Sequence, residues 1–556
     1  MRRSVSVLAS MLFSLATPEG DGQTTTRISR GLNDADADAL SFAASVSSDG
    51  RYVAFASYAE NLVANDGNGK PDIFLFDRNT DSLTLVSVNP NAVAANGPSD
   101  VPMISSNGLR IVFTSDANDI VAGFGSPRAI YVRDLATGTT SVASVDDAGN
   151  PQGSCWSPAI SGDGNIVVFG SWEDWFVSND QNHKSDVFVR DLVAGATTRV
   201  SVDSNGIEGN RDSYPGSVSI DGQRVVFESF ADNLVLNDAN GFRDVFLRDR
   251  VAGTTSLVSV DGSGTQGNGE SMSGDISDDG TAMVFVTNAS SLGVTALYGA
   301  AAVKSLVDGS LAIVSVDDAG NQGSISGGPP SISADGRFVV FTDADDLVDG
   351  DTNGKDDVFI RDRLLGLTFR ESIASDWSQG DGTSVNYSGP STSNISSDGS
   401  VVVFYSAATN LDPSDGNGTW DVFVRERCVI SASWSNYGAG FPGTHGIPTI
   451  TSRTNPTLGS DVTVDISNSW GRITVALLFL GFDSTDIPSS FGGHLLVAPF
   501  LVAPFVMPAS GIALAGTIPP DESLCGVSLY LQAWESDPGA AKGVSFTAGL
   551  ELILGM

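Results

Sequence analysis

The side chains best suited to chemistry in this sequence are aspartates and asparagines that recur in five short acidic segments. Each segment has the pattern Asp-x-Asn-x-x-x-Asp. The positions are Asp66, Asn68 and Asp72; Asp180, Asn182 and Asp186; Asp238, Asn240 and Asp244; Asp351, Asn353 and Asp357; and Asp415, Asn417 and Asp421. Calcium takes several hard oxygen ligands from carboxylate, amide and backbone carbonyl groups. The pattern therefore makes these residues candidate calcium ligands, and calcium the candidate cofactor.

The same pattern also fits a purely structural turn. Asp and Asn side chains form Asx turns, and the last Asp of each segment can cap the backbone amides at the start of a strand. The segments are not EF-hands, because their glycine falls at the fourth position and no glutamate closes the loop. Both interpretations stay open. His183 follows Asn182 where the other copies have glycine, which makes that copy the weakest candidate.

Four aromatic residues form a second set of candidates, since the repeat described below places them in loops on the same face as the acidic segments. They are Trp156, Tyr214, Trp377 and Trp420. Exposed aromatic rings beside acidic and amide groups can stack on sugar rings or hold a peptide. We therefore expect a ligand-binding role toward a protein or glycan partner. The alternative is that these rings fill the junctions between repeats.

The sequence predicts no enzyme. Its three histidines lie in separate segments, at His183, His445 and His494. None belongs to a Ser/His/Asp or metal-binding pattern. Carboxylates recur as repeat positions, whereas a catalytic pair should be unique to one repeat. The least repetitive acidic pair is Glu173 and Asp174, which lies between Trp172 and Trp175.

A sevenfold repeat positions all these residues. Each copy has a polar turn followed by a strand that ends in phenylalanine, and these phenylalanines are Phe55, Phe113, Phe169, Phe227, Phe285, Phe341 and Phe404. Asp-Gly and Asn-Gly turns favour tight hairpins, and the alternation of apolar and polar residues predicts strands. In repeat four the predicted strands are residues 218–219, 224–227, 244–249 and 256–260. Each repeat is therefore expected to form a four-stranded antiparallel sheet.

Radial stacking of such sheets buries their faces, and closure into a ring removes the exposed ends. Repeat seven lacks a fourth strand, while residues 24–29 match residues 197–201 of repeat three. The predicted fold is all-β: a seven-bladed β-propeller over residues 24–427, in which the N-terminal strand closes the last blade.

Two segments indicate a family. Ile332-Ser333-Ala334-Asp335-Gly336-Arg337 and Asp357-Val358-Phe359-Ile360-Arg361-Asp362 resemble the repeats of TolB-like propellers, a WD-like type without the Trp-Asp signature. The resemblance implies a propeller and, in many members, a periplasmic or extracellular binding role. The best-known members are often six-bladed, so seven repeats depart from them.

Residues 428–556 form a separate module. Asp-Gly turns become rare, and strands are expected at residues 461–466, 474–480, 511–518, 527–534 and 544–554. This pattern predicts a β-sandwich. The run at residues 437–444 resembles the start of a small C-terminal module common on secreted bacterial proteins. Cys428 and Cys525 bracket the module and could pair in an oxidising compartment, which would leave Cys155 as a free thiol.

Charge and the N-terminus restrict location and partners. There are 29 Lys and Arg against 66 Asp and Glu, a net charge of -37. Such a surface repels phosphate backbones, so no nucleic-acid partner is expected. Residues 1–16 begin Met-Arg-Arg and continue with an apolar run, which predicts a signal peptide. No other segment reaches the ~18 apolar residues of a membrane span. The expected location is secreted, periplasmic or on the cell surface.

The leading interpretation is a secreted, non-catalytic binding or scaffold protein. One alternative is a glycan-active hydrolase or lyase with its site in the propeller funnel, and another is a structural protein of the cell envelope. A polar cluster in the central channel that is absent from the other blades would favour the enzyme.

Overall fold

The structure is a computed structural model of the 556-residue chain, and it describes residues 23–125, 128–386 and 394–556. The predicted signal peptide at residues 1–16 lies outside the described residues. Helical structure in the described residues consists of the short 3₁₀ turns Leu32–Asp34, Ser290–Leu292 and Glu522–Leu524. None of the described helices is long and apolar enough to cross a membrane. The chain divides into two compact units, residues 24–427 and residues 428–556 together with Gln23.

Residues 24–427 form seven four-stranded antiparallel sheets, counted over the described part of the unit. From inner to outer strand, repeat one has Ser41–Val46, Tyr52–Ser57, Asp72–Asp77 and Ser82–Leu85, and repeat two has Ser99–Ile104, Arg110–Ser115, Ala129–Asp134 and Thr139–Val142. Repeat three has Cys155–Ile160, Ile166–Ser171, Asp186–Asp191 and Ala196–Arg199, and repeat four has Ser213–Val218, Arg224–Ser229, Asp244–Asp249 and Thr254–Leu257. Repeat five has Ser271–Ile276, Ala282–Thr287, Ala300–Ser305 and Leu311–Ile313, and repeat six has Ser331–Ile332, Phe338–Asp343, Asp357–Asp362 and Leu367–Arg370. Repeat seven has Ser384–Val385, Val401–Ser406, Asp421–Glu426 and, as its outer strand, Thr25–Arg27. A short hairpin, Arg30–Gly31 with Ala35–Asp36, follows that strand.

The ring is closed, as the sequence predicted. Thr25 lies opposite Arg425 and Arg27 lies opposite Phe423, so the N-terminal strand completes the last sheet. Each sheet contacts the next, and sheet seven contacts sheet one. The amide of Ser397 also donates to the carbonyl of Ser48 at 2.9 Å, which joins repeat seven to repeat one. This arrangement is a seven-bladed β-propeller.

The repeated phenylalanines build the core of each blade. In repeat one, Phe55 of the second strand stacks on Phe74 of the third strand, with ring centroids 5.7 Å apart. Both side chains are fully buried. The preceding turn is fixed by Ser47, whose hydroxyl donates to Asp49 at 2.6 Å and accepts the amide of Tyr52 at 2.9 Å. The repeat thus combines an apolar stack with a hydrogen-bonded hairpin turn.

The structure corrects two predicted strands of repeat four. The third strand was predicted correctly, but the inner strand is Ser213–Val218 instead of residues 218–219, and the outer strand is Thr254–Leu257 instead of 256–260. The inner strands of repeats one to five carry a β-bulge, which breaks the period-two alternation. The outer strand ends early because Ser259 leaves the ladder and donates to Asp244 at 2.6 Å.

Residues 428–556 form a β-sandwich. Its larger sheet contains Ser433–Tyr437, Gly549–Ile553, Ser528–Ser536, Thr474–Gly481, Leu501–Met507 and Val544–Phe546, and its smaller sheet contains Ile450–Ser452, Asp461–Ile466 and Ile512–Thr517. Asp483–Pro488 and His494–Ala498 form a separate hairpin. The predicted strand at 544–554 is two strands. Cys428 and Cys525 are joined by a disulfide.

Candidate functional site

Each acidic segment is a hydrogen-bonded turn that links its third strand to the loop leading into the next blade. In repeat three, Asn182 Nδ2 donates to Asp186 and to the carbonyl of Gly209, both at 2.9 Å. The other oxygen of Asp186 accepts the hydroxyl of Ser201. The same amide contacts are made by Asn68, Asn240, Asn353 and Asn417. The asparagines therefore present N–H groups, not oxygens, to the carboxylates.

In three of the five turns an arginine lies among the carboxylates. Arg199 lies 2.9 Å from Asp180, 3.2 Å from Asp186 and 2.7 Å from Glu208. Arg370 takes the corresponding place in repeat six, and Arg27 takes it in repeat seven. We call each group of carboxylates around this position an acidic socket. In these three sockets a guanidinium occupies the space between the carboxylates.

Repeat four fills its socket with an amide. Leu257 stands at the outer-strand position of the arginine, opposite Phe246. Gln266 Nε2 instead donates to Asp238 at 2.7 Å and to Asp244 at 2.8 Å. Burial still raises the pKa of Asp244 to about 6. The amide satisfies hydrogen bonds but brings no positive charge.

The socket of repeat one has neither group. Leu85 holds the outer-strand position opposite Phe74, and Asp72 receives hydrogen bonds from Asn68 and Ser87. Burial, with a smaller contribution from the charge of Asp66, raises the pKa of Asp72 to about 7. No group of three or more His, Cys, Asp and Glu side chains within the described ranges has a metal-binding arrangement. Calcium binding by the acidic segments stays a prediction.

The structure brings two of the four predicted aromatic residues together. Trp156 and Tyr214 lie in strands and not in the loops that the sequence predicted. They are the second residues of neighbouring inner strands, and their ring centroids lie 5.4 Å apart. Trp172 lies 6.2 Å from Trp156 and 6.3 Å from Tyr214, and Phe230 lies 6.4 Å from Tyr214. We call these four rings the aromatic cluster. Trp172 is 53% exposed, so the cluster is open to solvent.

The other two predicted residues lie elsewhere. Trp377 covers the guanidinium of the buried Arg425, whose Cζ lies 4.8 Å from the ring centroid. Trp420 packs beside Tyr405, with centroids 5.3 Å apart. Trp377 thus contacts the buried interior, as the alternative interpretation of these rings expected for residues between blades. The ligand-binding assignment of the four residues stays a prediction.

The position of the Trp156 ring depends on a glycine in the neighbouring strand. Gly170 lies opposite Trp156 in the neighbouring strand, and a Cβ atom at Gly170 would lie 2.6 Å from the indole ring. The corresponding residues of repeats one, four and seven are Ala56, Glu228 and Tyr405. Glycine at this position therefore lets the indole lie against the strand.

Charged groups border the aromatic cluster. Glu228 accepts hydrogen bonds from Arg243 at 3.0 Å and from the amide of Ser273 at 2.8 Å. Burial raises the pKa of Glu228. The Arg243 guanidinium carbon lies 5.6 Å from the Phe230 centroid. Arg243 Nε and Trp156 Nε1 are buried and have no hydrogen-bond partner among the described residues. Polar groups with unused capacity therefore lie beside the rings.

The cluster occupies a position that differs from blade to blade. The first residue of the inner strand is serine in repeats one, two, four, five and seven, and the buried Cys155 takes its place in repeat three. The second residue is Phe42, Asp100, Trp156, Tyr214 and Met272 in repeats one to five. The recurring serine is part of the common structure of the blade, whereas the side chains at the second position share no chemical property.

Sequence reasoning missed a pair of carboxylates at the other end of the inner strands. Asp275 and Asp278 of repeat five line a cavity among the inner strands, where the other repeats have no acidic residue. Asp275 accepts the amides of Ile276 at 2.9 Å and Ile332 at 3.0 Å, and burial raises its pKa to about 7. Ser45 makes the corresponding bond to Ile104 in repeat one. Asp275 therefore joins neighbouring blades. A repeat alignment would have shown both residues as exceptions.

Comparisons with known proteins give no family. No family model matches the sequence, and no curated protein matches it. A solved structure of prolyl oligopeptidase B from Galerina marginata, bound to a 25mer macrocyclization substrate, is 11% identical with a TM-score of 0.38, over 80% of this chain and 56% of that chain. The GH74 enzyme of Niastella koreensis is 12% identical with a TM-score of 0.23, over 92% and 75%. An ancestral GH74 enzyme is 10% identical with a TM-score of 0.37, over 72% and 51%. This chain thus spans about half the length of the first and third structures. These similarities carry no statement on function, and the fold rests on the sheets described above.

Proposed function

We propose that this chain is a non-catalytic binding protein whose propeller binds a neutral glycan on the aromatic cluster. The observation that carries the proposal is the solvent-open group of Trp156, Trp172 and Tyr214 beside Glu228 and Arg243. Aromatic faces provide apolar area for the C–H face of a sugar ring, and the neighbouring polar groups can bond its hydroxyls.

The arrangement of the rings favours a flat ligand over an ammonium group. Aromatic pairs with centroids 4.5–7 Å apart are already in contact, and the three rings lie 5.4, 6.2 and 6.3 Å apart. They form a packed platform instead of a cage that could surround a cation. The net charge of -37 also disfavours acidic sugars.

Catalysis is not part of the proposal. Both oxygens of Glu228 accept hydrogen bonds, one from Arg243 and one from the amide of Ser273. Asp275 and Asp278 are a polar pair of the central cavity found in one blade only, which is the feature expected to favour an enzyme. Their contacts favour a structural role instead, because Asp275 accepts the amides of Ile276 and Ile332 and Asp278 accepts the Ser397 hydroxyl at 3.2 Å. We further propose a secreted, periplasmic or cell-surface location, and affiliation with the TolB-like propellers remains our hypothesis.

Binding of neutral oligosaccharides tests the proposal. The probes are the disaccharides and hexasaccharides of cellulose, mannan, xylan and chitin, titrated by calorimetry and by tryptophan fluorescence. Trp172→Ala and Tyr214→Ala should each weaken binding about tenfold, because a desolvated aromatic contact contributes roughly 0.5–1.5 kcal/mol beyond its buried area. Tyr298→Ala removes a ring that is 74% exposed and outside the cluster, so it serves as the matched control.

Chromatography of the incubated sugars tests catalysis in the same samples. Shortened or unsaturated products would replace the binding proposal by the hydrolase or lyase alternative. Absence of binding to every probe would reject the glycan proposal.

A further inference from the structure

The loop between the second and third strands of repeat three differs from the equivalent loops of other repeats at three residues. The first is Glu173, whose amide bonds the Ser171 hydroxyl at 3.2 Å. The same amide contact is made in other repeats by buried alanines, namely Ala59, Ala117, Ala231, Ala289 and Ala408. A carboxylate therefore stands where five blades have a buried methyl group.

The second departure is Trp175, two residues further along. In repeats one, four and seven the corresponding residues are Asn61, Asn233 and Asn410, whose Nδ2 atoms donate to the carbonyls of Asp36 at 2.8 Å, Glu208 at 2.9 Å and Gln379 at 2.8 Å, respectively. These bonds hold each loop to the neighbouring inter-blade loop. Trp175 lacks an amide to make that bond and is 55% exposed.

The third departure is His183. It has φ of +53°, where the sister loops have glycine at Gly69, Gly241, Gly354 and Gly418 with φ between +60° and +73°. The left-handed conformation is unfavourable for a residue with a Cβ atom. His183 Nδ1 is hydrogen-bonded to Asp174, and the His183 side chain is 80% exposed. A neutral imidazole that donates Nδ1–H to Asp174 presents Nε2 as an acceptor.

These exposed groups belong to an anchored loop. Phe176 is fully buried, and its ring centroid lies 5.2 Å from Phe169 and 5.0 Å from Phe188. The carbonyl of Phe176 accepts the amide of Asp147 at 3.0 Å. The loop therefore combines a fixed backbone with open side chains that give up contacts made in the sister repeats. Departures from local structural rules are expected to concentrate at functional sites.

We propose that this loop is a second sugar subsite, in which Trp172 and Trp175 offer apolar faces and His183 Nε2 accepts a hydroxyl hydrogen. It is continuous with the aromatic cluster through Trp172. The ligand is then a neutral oligosaccharide long enough to extend from Tyr214 over Trp156 and Trp172 to the loop. This inference rests on the proposed function and adds the ligand class, a chain of several sugar units.

Reversion to the sister residues tests the subsite without removing a structural group. The double variant Trp175→Asn with His183→Gly should keep or raise the unfolding midpoint, since repeats one, four and seven have both of these residues at the same positions. Its affinity for the hexasaccharide that binds the wild type should fall about tenfold, while its affinity for the matching disaccharide stays unchanged. Tyr214→Ala should weaken both sugars, and Tyr298→Ala should weaken neither.

The outcomes separate this inference from the function on which it rests. Equal hexasaccharide affinity for the wild type and the double variant would overturn the subsite and leave the glycan proposal standing. Equal loss for the hexasaccharide and the disaccharide would also overturn it, since both would then bind on the same rings. If the wild type binds no probe, both proposals fail.

Discussion

Replacement of Arg27 by methionine should loosen the closure of the ring. The guanidinium is fully buried and lies 2.9 Å from Asp36, 3.0 Å from Asp412, 3.2 Å from Asp415 and 3.6 Å from Asp421. It belongs to the N-terminal strand, whereas three of its four partners follow the second strand of repeat seven or begin the third. Methionine keeps much of the aliphatic stem but leaves the carboxylates facing one another without a cation.

The expected decrease in the unfolding midpoint follows from the burial of the Arg27 side chain. Removing one partner of a buried ion pair lowers the free energy of unfolding by about 3–5 kcal/mol. A cooperative unit of roughly 400 residues has an unfolding entropy of about 0.85 kcal/mol/K near its midpoint. The propeller transition should therefore fall by about 4–6 °C.

Arg370→Met is the matched comparison, because Arg370 takes the corresponding position in repeat six. Its ion-pair partner is Asp351 at 3.1 Å, and its side chain is 10% exposed. Fewer carboxylates are left unpaired there, so we expect about half the decrease. Calorimetry gives the two midpoints, and hydrogen exchange of residues 24–29 and 422–426 reports the pairing of the closing strand.

A double variant tests whether repulsion between the carboxylates causes the decrease. Asp415→Asn in the Arg27→Met background should recover part of the lost stability, because it removes one of the repelling charges. Equal midpoints for Arg27→Met and the wild type would refute the reasoning. So would a decrease in Arg370→Met as large as that in Arg27→Met.

Four further predictions follow from individual contacts. Burial raises the pKa of Asp72 from 3.8 to about 7, so the folded chain holds a proton that the unfolded chain releases. The stability from this group is therefore lost as the pH rises from about 4 to about 7, and Asp72→Asn should flatten that part of the midpoint–pH curve. Because arginines occupy the sockets of repeats three, six and seven, calcium could add stability only at repeats one and four, and EDTA should lower the propeller midpoint by less than Arg27→Met does. Gly170→Ala should displace the Trp156 ring and weaken glycan binding several-fold, with a smaller effect on the midpoint, since a strand accepts alanine. Reduction of the Cys428–Cys525 disulfide, with a sequence separation of 97, should lower the stability of residues 428–556 by about 4–5 kcal/mol and leave the propeller transition unchanged.

Each of these predictions has an outcome that contradicts it. An equal change of the midpoint between pH 4 and 7 in the wild type and in Asp72→Asn would remove the assigned role of that carboxyl. A calcium-reversible decrease in EDTA as large as the decrease in Arg27→Met would contradict the occupation of three sockets by arginine. Unchanged binding in Gly170→Ala would mean that the position of the Trp156 ring does not matter. An unfolding transition of residues 428–556 that is the same with and without reductant would show that the disulfide does not constrain this unit.

The sequence predicted the ring well because its determinants are local and repeated. Polar turns, phenylalanine-ended strands and the match of residues 24–29 to residues 197–201 indicated the blades and their closure. The inner strand of repeat four was predicted too short, since a bulge between Pro215 and Val218 interrupts the alternation. A one-residue change of phase cannot be read from a pattern that assumes period two.

The candidate site was harder to predict because its partners come from different strands. The acidic segments are visible in the sequence, but Arg199 reaches Asp186 only through the register that sets it opposite Phe188. Trp156 meets Trp172 and Tyr214 through contacts within a blade and between blades. The predicted set also contained Trp377, whose ring covers a buried arginine. Residue type and the predicted loop position could not distinguish an aromatic ring in the solvent-open cluster from a ring that covers a buried arginine.

The seven blades act as internal controls for one another. Comparing residues at equivalent positions distinguishes those that the blade requires for folding from those that are available for binding. Side chains in equivalent places meet nearly the same backbone, so a residue required by the blade should recur, as the serines that begin the inner strands do. The next residue along the strand has the same backbone environment and yet is Phe42, Asp100, Trp156, Tyr214 or Met272. Folding alone gives no reason for such diversity. In the repeat-three loop the comparison goes further, because Trp175 and His183 replace residues that make better local structure. The proposed sugar subsite would give these two residues a role outside the fold that offsets that loss.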